Sequence, residues 1–161
     1  AAAMAPMAGS WDAERAFPRN FDAQGTDDVS SYLATPAGWE FLDRWPREAR
    51  DAHCRGVADA WVRTLCDAWG VESPTHPDLL APWLRVVPLP IARALAPHEV
   101  DGLIVAARER LGAEVAVTTA DDRTYLRLSA FLYNDADDVR RARIADLADL
   151  AADMAGTRPA R

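Results

Sequence analysis

Arg127 lies in the middle of Tyr125-Leu-Arg-Leu-Ser-Ala-Phe-Leu-Tyr133, with Leu126 and Leu128 on either side. A guanidinium is a planar fork of N–H donors that can hold a carboxylate through two parallel hydrogen bonds. Burying that charge without an anion is costly. An arginine in an otherwise apolar strand therefore either waits for an anion or reaches solvent from the strand's polar face, and the pattern leaves both readings open. Asn134 and the acidic run Asp135, Asp137 and Asp138 follow at once, where carboxylates suit the positive end of a helix. Gly25-Thr26 is a second candidate. Glycine leaves a backbone N–H uncrowded and threonine adds a hydroxyl, which together suit a phosphate oxygen. Asp27, next in the chain, opposes this, because a carboxylate repels a phosphate by about 1 to 4 kcal/mol at contact.

Other chemistries find less support. His53, His76 and His98 do not pair on one helix face, and no Cys/His cluster has zinc spacing, so no metal site is expected. Cys54 and Cys66 fall on one predicted helix, too far apart to bridge, and read as reduced structural thiols of a cytoplasmic protein. There is no Gly-rich nucleotide loop and no nucleophile elbow. The net charge of -7 argues against nucleic acid as a partner. Half of the 161 residues are hydrophobic, yet no run is long enough for a membrane span. Trp39, Trp45, Trp61 and Trp69, four of the six tryptophans, recur at helical spacing and read as core.

The elements that must position these residues follow from periodicity and punctuation. Residues 1–34 carry few periodic apolar positions and read as an arm and linker, with a short strand near Met4 to Ala8. Thr35-Pro36 is expected to open a helix with Trp39, Phe41, Leu42 and Trp45 on its apolar face, ended or kinked by Pro46. Arg47 to Trp69 follows as a longer amphipathic helix with Gly70 as its stop, and its stripe runs through His53 or Cys54, Val57, Ala58, Trp61, Val62, Leu65 and Trp69. Ser73 to Pro82 reads as loop. Trp83 to Leu89 reads as a strand whose Pro88 marks an end or an edge. Pro97 to Leu111 is a helix with Val100, Leu103, Ile104 and Ala107 inward, ended by Gly112. Glu114 to Thr118 and Thr124 to Tyr133 form a hairpin about Ala120 to Arg123. One last helix runs from Asp135 to about Met154 with Val139, Ile144, Leu147 and Leu150 inward. The sum is an α+β domain over 35–161, with helices packed on one face of a small, mainly antiparallel sheet.

Arg127-Leu-Ser-Ala-Phe-Leu-Tyr-Asn134 with its acidic helix start resembles the carboxylate-binding strand of the class-V, fold-type I, pyridoxal-phosphate enzymes. Gln24-Gly25-Thr26-Asp27-Asp28 is similar to the family segment that reaches the cofactor phosphate of the neighbouring subunit, although an arginine of that segment is Asp27 here. Leu111-Gly-Ala-Glu-Val-Ala-Val117 resembles the strand before the arginine strand in the isopenicillin-N-epimerase-like branch. The resemblance implies the small C-terminal domain of such an enzyme, with Arg127 binding the substrate carboxylate and Gly25 and Thr26 touching the phosphate of pyridoxal 5'-phosphate. It implies action at the α-carbon of an amino acid, as an epimerase, β-lyase or aminotransferase, in a dimer. Residues 113–125 contain no cysteine, which disfavours the desulfurase branch of that superfamily.

All 18 basic residues are arginine, so the lysine amine that such a cofactor requires is missing. Pro6-Met-Ala-Gly-Ser-Trp11 is similar to the segment that follows that lysine in the family. The resemblance thus implies that residues 1–34 continue the cofactor domain, that no catalytic residue lies in this chain, and that an N-terminal, lysine-bearing partner chain shares the cofactor. The alternative is a non-catalytic binding or regulatory module of the same fold.

Overall fold

A computed structural model describes residues 28–156 of the chain. The chain divides into two units between Arg44 and Trp45. In the first, helix α1 spans Ser30–Leu42. The Asp28 carboxylate accepts the Ser30 N–H at 2.9 Å; the Ser30 hydroxyl first, and then this N–H, hold its pKa below the ordinary carboxylate value. The helix therefore begins well before the expected Thr35-Pro36 start and carries Pro36 inside it. Proline removes one intrahelical donor, and here the carbonyl it orphans, that of Tyr32, belongs to an exposed residue open to water. No residue of α1 is buried; Tyr32 and Leu33 are 71% and 76% exposed.

The second unit holds the sheet. Helix α2 spans Arg47–Trp69, ending on Gly70 at φ 64, a left-handed conformation that glycine adopts without a Cβ penalty. A 3-10 turn, Pro77–Leu79, interrupts the expected loop. Strand β1 is Leu84–Pro88, helix α3 is Pro97–Leu111, and the hairpin strands are β2, Ala116–Ala120, and β3, Arg123–Ser129. All pairs are antiparallel, with β3 central and β1 and β2 at the edges. The N–H of Leu89 bonds to the carbonyl of Thr124, so Val87 and Arg85 also point their backbone groups at β3. Pro88, one residue out of phase, then has its missing N–H on the outer edge, where it blocks further strand addition.

In β3, Thr124, Leu126 and Leu128 are buried whereas Arg123, Arg127 and Ser129 are exposed. The core lies on the buried face. Leu126 and Val87 pack with Leu65 of α2, Leu103 of α3 and Leu147, all essentially free of solvent. Each contributes about 1.5 to 3 kcal/mol by leaving water. The α2 stripe is buried at Cys54, Val57, Ala58, Trp61 and Leu65. On α3 the innermost residues are Leu103, Ala106 and Ala107, with Val100 and Ile104 half-buried. The cysteines are free, and burial pushes both thiols up.

Two elements near the C-terminus depart from expectation. Strand β3 stops at Ser129, four residues short of Tyr133, because Phe131 to Asn134 closes into a turn. The single last helix is three pieces: α4 over Asp138–Arg141, a 3-10 turn over Ile144–Asp146, and α5 over Leu147–Ala155. Val139 and Ile144 are five positions apart, which a continuous α-helix would place on different faces. Arg143, at φ 52, breaks the helix so that Val139, Ile144, Leu147 and Leu150 are all buried. The β2 strand also starts two residues later than expected, at Ala116. No described helix is long and apolar enough to cross a membrane.

Candidate functional site

The β2 ladder ends at the pair Ala116 and Arg127. Beyond it, Leu128 and Ser129 remain paired only to β1, and a cavity of about 400 Å³ opens where β2 gives out. Its polar rim is Glu114, Arg127, Ser129, Asn134, Asp138 and Arg141, over a floor that includes Trp61 and Leu126. A loop network sets this rim. Asn134 accepts the Phe131 N–H at 2.9 Å and donates to Asp138 at 3.0 Å. Asp138 accepts the Asp135 N–H at 3.0 Å, and Trp61 donates its indole N–H to the Asp135 carbonyl at 2.8 Å. Asn134 is thus the keystone of the turn that ends β3 and starts α4, while Tyr133 is 84% exposed.

The charges on the rim divide unequally. Glu114 receives Arg108 at 2.5 and 3.0 Å, bonds that hold its carboxyl below the ordinary value. Arg141 spans Asp135, at 2.8 Å, and Asp138, and both partners push its pKa up. Burial alone would raise Asp138, but the Asn134 amide, the Asp135 N–H and Arg141 outweigh it and hold the carboxylate ionised. Three of the four charged rim residues are therefore committed to partners. Arg127 alone makes no side-chain hydrogen bond or ion pair among the described residues. Arg127 is thus the one rim charge whose hydrogen-bond donors are unengaged among the described residues, although Arg141, shared by Asp135 and Asp138, leaves a carboxylate in excess on the same rim, and donors so placed can take an anion.

Arg127 thus sits on the exposed face of its strand, and the structure brings it together with Asn134 and Asp138. Gly25 and Thr26 lie outside the described residues, as do Asp27 and the arm from Ala1. His53, expected as packed or surface, is exposed and places Nε2 3.1 Å from the Asn134 carbonyl. Among the described residues no group of three His, Cys, Asp or Glu is arranged to hold a metal.

Arg85 went unmarked as a special residue in the strand pattern. It is 3% exposed and lies on the helix face of β1. Its Nε and one terminal nitrogen donate to Asp59 of α2 at 2.9 and 2.8 Å, and the other donates to the Ala81 and Leu84 carbonyls. Its parity with Val87 and Leu89 is the signal that it points into the core. No family model matches the chain, nor does any curated protein sequence.

Proposed function

We propose that this chain is the small-domain part of a pyridoxal-phosphate enzyme of the class-V, fold-type I kind, acting at the α-carbon of an amino acid. The observation that carries the reading is that Arg127, on the rim of a cavity, keeps its guanidinium unpaired among the described residues, within the segment that resembles the family's carboxylate-binding strand. The α+β layout, with helices on one face of an antiparallel sheet, agrees with a domain that leaves its other face to a partner.

Bound pyridoxal phosphate supplies an electron sink for the pair released when a bond to the α-carbon breaks. The residues of this chain supply binding and orientation. Arg127 takes the substrate carboxylate in a two-pronged grip and so sets which bond to the α-carbon faces the cofactor ring. Asn134 and Asp138 do not touch the substrate; they hold the turn that frames the grip. Gly25 and Thr26 would meet the cofactor phosphate across a twofold interface. The lysine would come from outside these 161 residues, since none is present.

Purification of the protein from its native source tests this. The expected result is a yellow complex in which a lysine-bearing polypeptide accompanies the chain in equal amounts. A colourless chain without such a companion overturns the reading and leaves a binding module.

A further inference from the structure

We infer that a second cavity, bounded by Trp45, Ala49, Arg50, His53 and Leu132, is a binding site for a small organic carboxylate. It has a volume of about 260 Å³ and shares no lining residue with the Arg127 cavity. Among the described residues, Arg50 Nε is the one buried side-chain nitrogen or oxygen without a hydrogen-bond partner. Buried polar groups in folded proteins are almost always paired, so an orphaned N–H on a cation points to a missing acceptor.

The neighbouring acids do not fill that role. Asp51 accepts the Trp83 indole N–H at 3.0 Å and lies 3.7 Å from Arg47. Water on Nε would satisfy the hydrogen bond but leave the guanidinium charge uncompensated in a partly enclosed space. An anion satisfies both. His53, three residues on, lies on the same helix face. Its Nε2 faces the Asn134 carbonyl, which can only accept, so Nε2 carries the proton; Nδ1 is then an acceptor, and the ring lines the cavity as a wall and gives the anion no hydrogen bond.

The walls decide the class of anion. Trp45, Ala49 and Leu132 are apolar and suit a hydrocarbon tail, not a second ring of oxygens. A phosphate or sulfate dianion would need more donors than one guanidinium provides. A carboxylate with a short apolar tail meets the one fork and the apolar wall together. The inference is independent of the cofactor reading.

The test is a titration of the full 161-residue chain with sodium acetate and sodium propionate at constant ionic strength, followed by NMR. The Arg50 Nε–H signal, assigned by its loss in Arg50→Lys, should shift saturably, with propionate binding tighter than acetate. The His53 ring signal, assigned with His53→Gln, should follow the same curve. In Arg50→Gln the His53 response should weaken at least tenfold, the loss expected for one charge-assisted hydrogen bond. In Arg127→Gln it should be unchanged. Should Arg50→Gln fail to fold, Arg50→Lys serves, since it keeps the charge and lacks the Nε fork. A response that stays linear, as for exposed arginines, or that saturates with inorganic phosphate and not with carboxylates, overturns the inference.

Discussion

Arg85 and Arg127 stand on neighbouring strands of one sheet and on opposite faces of it, and their surroundings assign them opposite work. Arg85, with Asp59 and two carbonyls around it, is a buried structural cation. Removing its partner leaves a charge stranded, so Asp59→Ala should destabilise the chain by about 3 kcal/mol, read as a lowered urea midpoint at unchanged slope. Among the described residues Arg127 has no partner to lose. Arg127→Lys should leave that midpoint within about 0.5 kcal/mol of wild type. If the chain belongs to the proposed enzyme, the same change there should cut kcat/KM roughly tenfold to several hundredfold, because lysine keeps the charge but loses the fork. A stability loss without a kinetic one would make Arg127 structural and remove the carboxylate grip. Arg127's solvent face was legible from the alternation of β3. Arg85 was equally legible from parity and was passed over because arginine is seldom fully buried. That Arg127 is left unpaired was not legible, since it depends on Glu114 and Asp138 of the same rim being engaged by Arg108 and Arg141.

At the scale of elements, punctuation by glycine and proline carried most of the information. Gly70 and Gly112 end α2 and α3 at the expected residues, because both take a left-handed backbone there. The hairpin between β2 and β3 has Asp121 and Asp122 at φ 47 and 58, the two-residue turn whose twist matches paired strands. Aspartate tolerates that region but glycine suits it better, so Asp122→Gly should stabilise the chain by about 0.5 kcal/mol and raise Tm by a few degrees. An unchanged or lower Tm would mean that Asp122 makes a compensating contact.

The start of α3 makes a pH prediction. Ala96 has no side-chain oxygen to cap with, so the Glu99 carboxylate reaches back to the Ala96 N–H at 2.8 Å while Arg93 grips it at 2.7 and 2.6 Å. The Arg93 bonds, then that N–H, bring the Glu99 pKa down to about 2. A depressed carboxyl favours the folded state above its ordinary pKa of about 4.5, and that support fades as pH falls toward about 2. Glu99→Gln should flatten the acid limb of a stability profile over that window; an identical limb would show the bond to be too exposed to count. The break at Arg143 and the early start of α1 escaped sequence reading for a shared reason. A five-residue apolar spacing and a proline each have two geometric solutions, and only the surrounding packing selects one.

For the whole molecule, the decisive fact is compositional: none of the 161 side chains is a primary amine. A carbonyl cofactor is held covalently by an amine, and arginine, always protonated, cannot replace it. Trp39, expected in the core, is exposed on α1 together with Tyr32 and Leu33, apolar surface of the kind that a partner can cover. These two features lead to one experiment. When the chain alone is incubated with pyridoxal phosphate, reduced with borohydride and digested, no internal residue should carry the label. When the proposed lysine-bearing companion is added first, label should appear on that companion in proportion to complex formed, and on no internal residue of this chain. The same mixture should gain affinity for amino acids through their carboxylates, and Arg127→Lys should reduce that gain without reducing the label. Stoichiometric labelling inside the chain would mean that it holds the cofactor by other chemistry. Labelling of the companion unaffected by this chain, with no gain in amino-acid affinity, would separate the chain from the cofactor altogether and return Arg127 to the role of a solvent-facing strand residue.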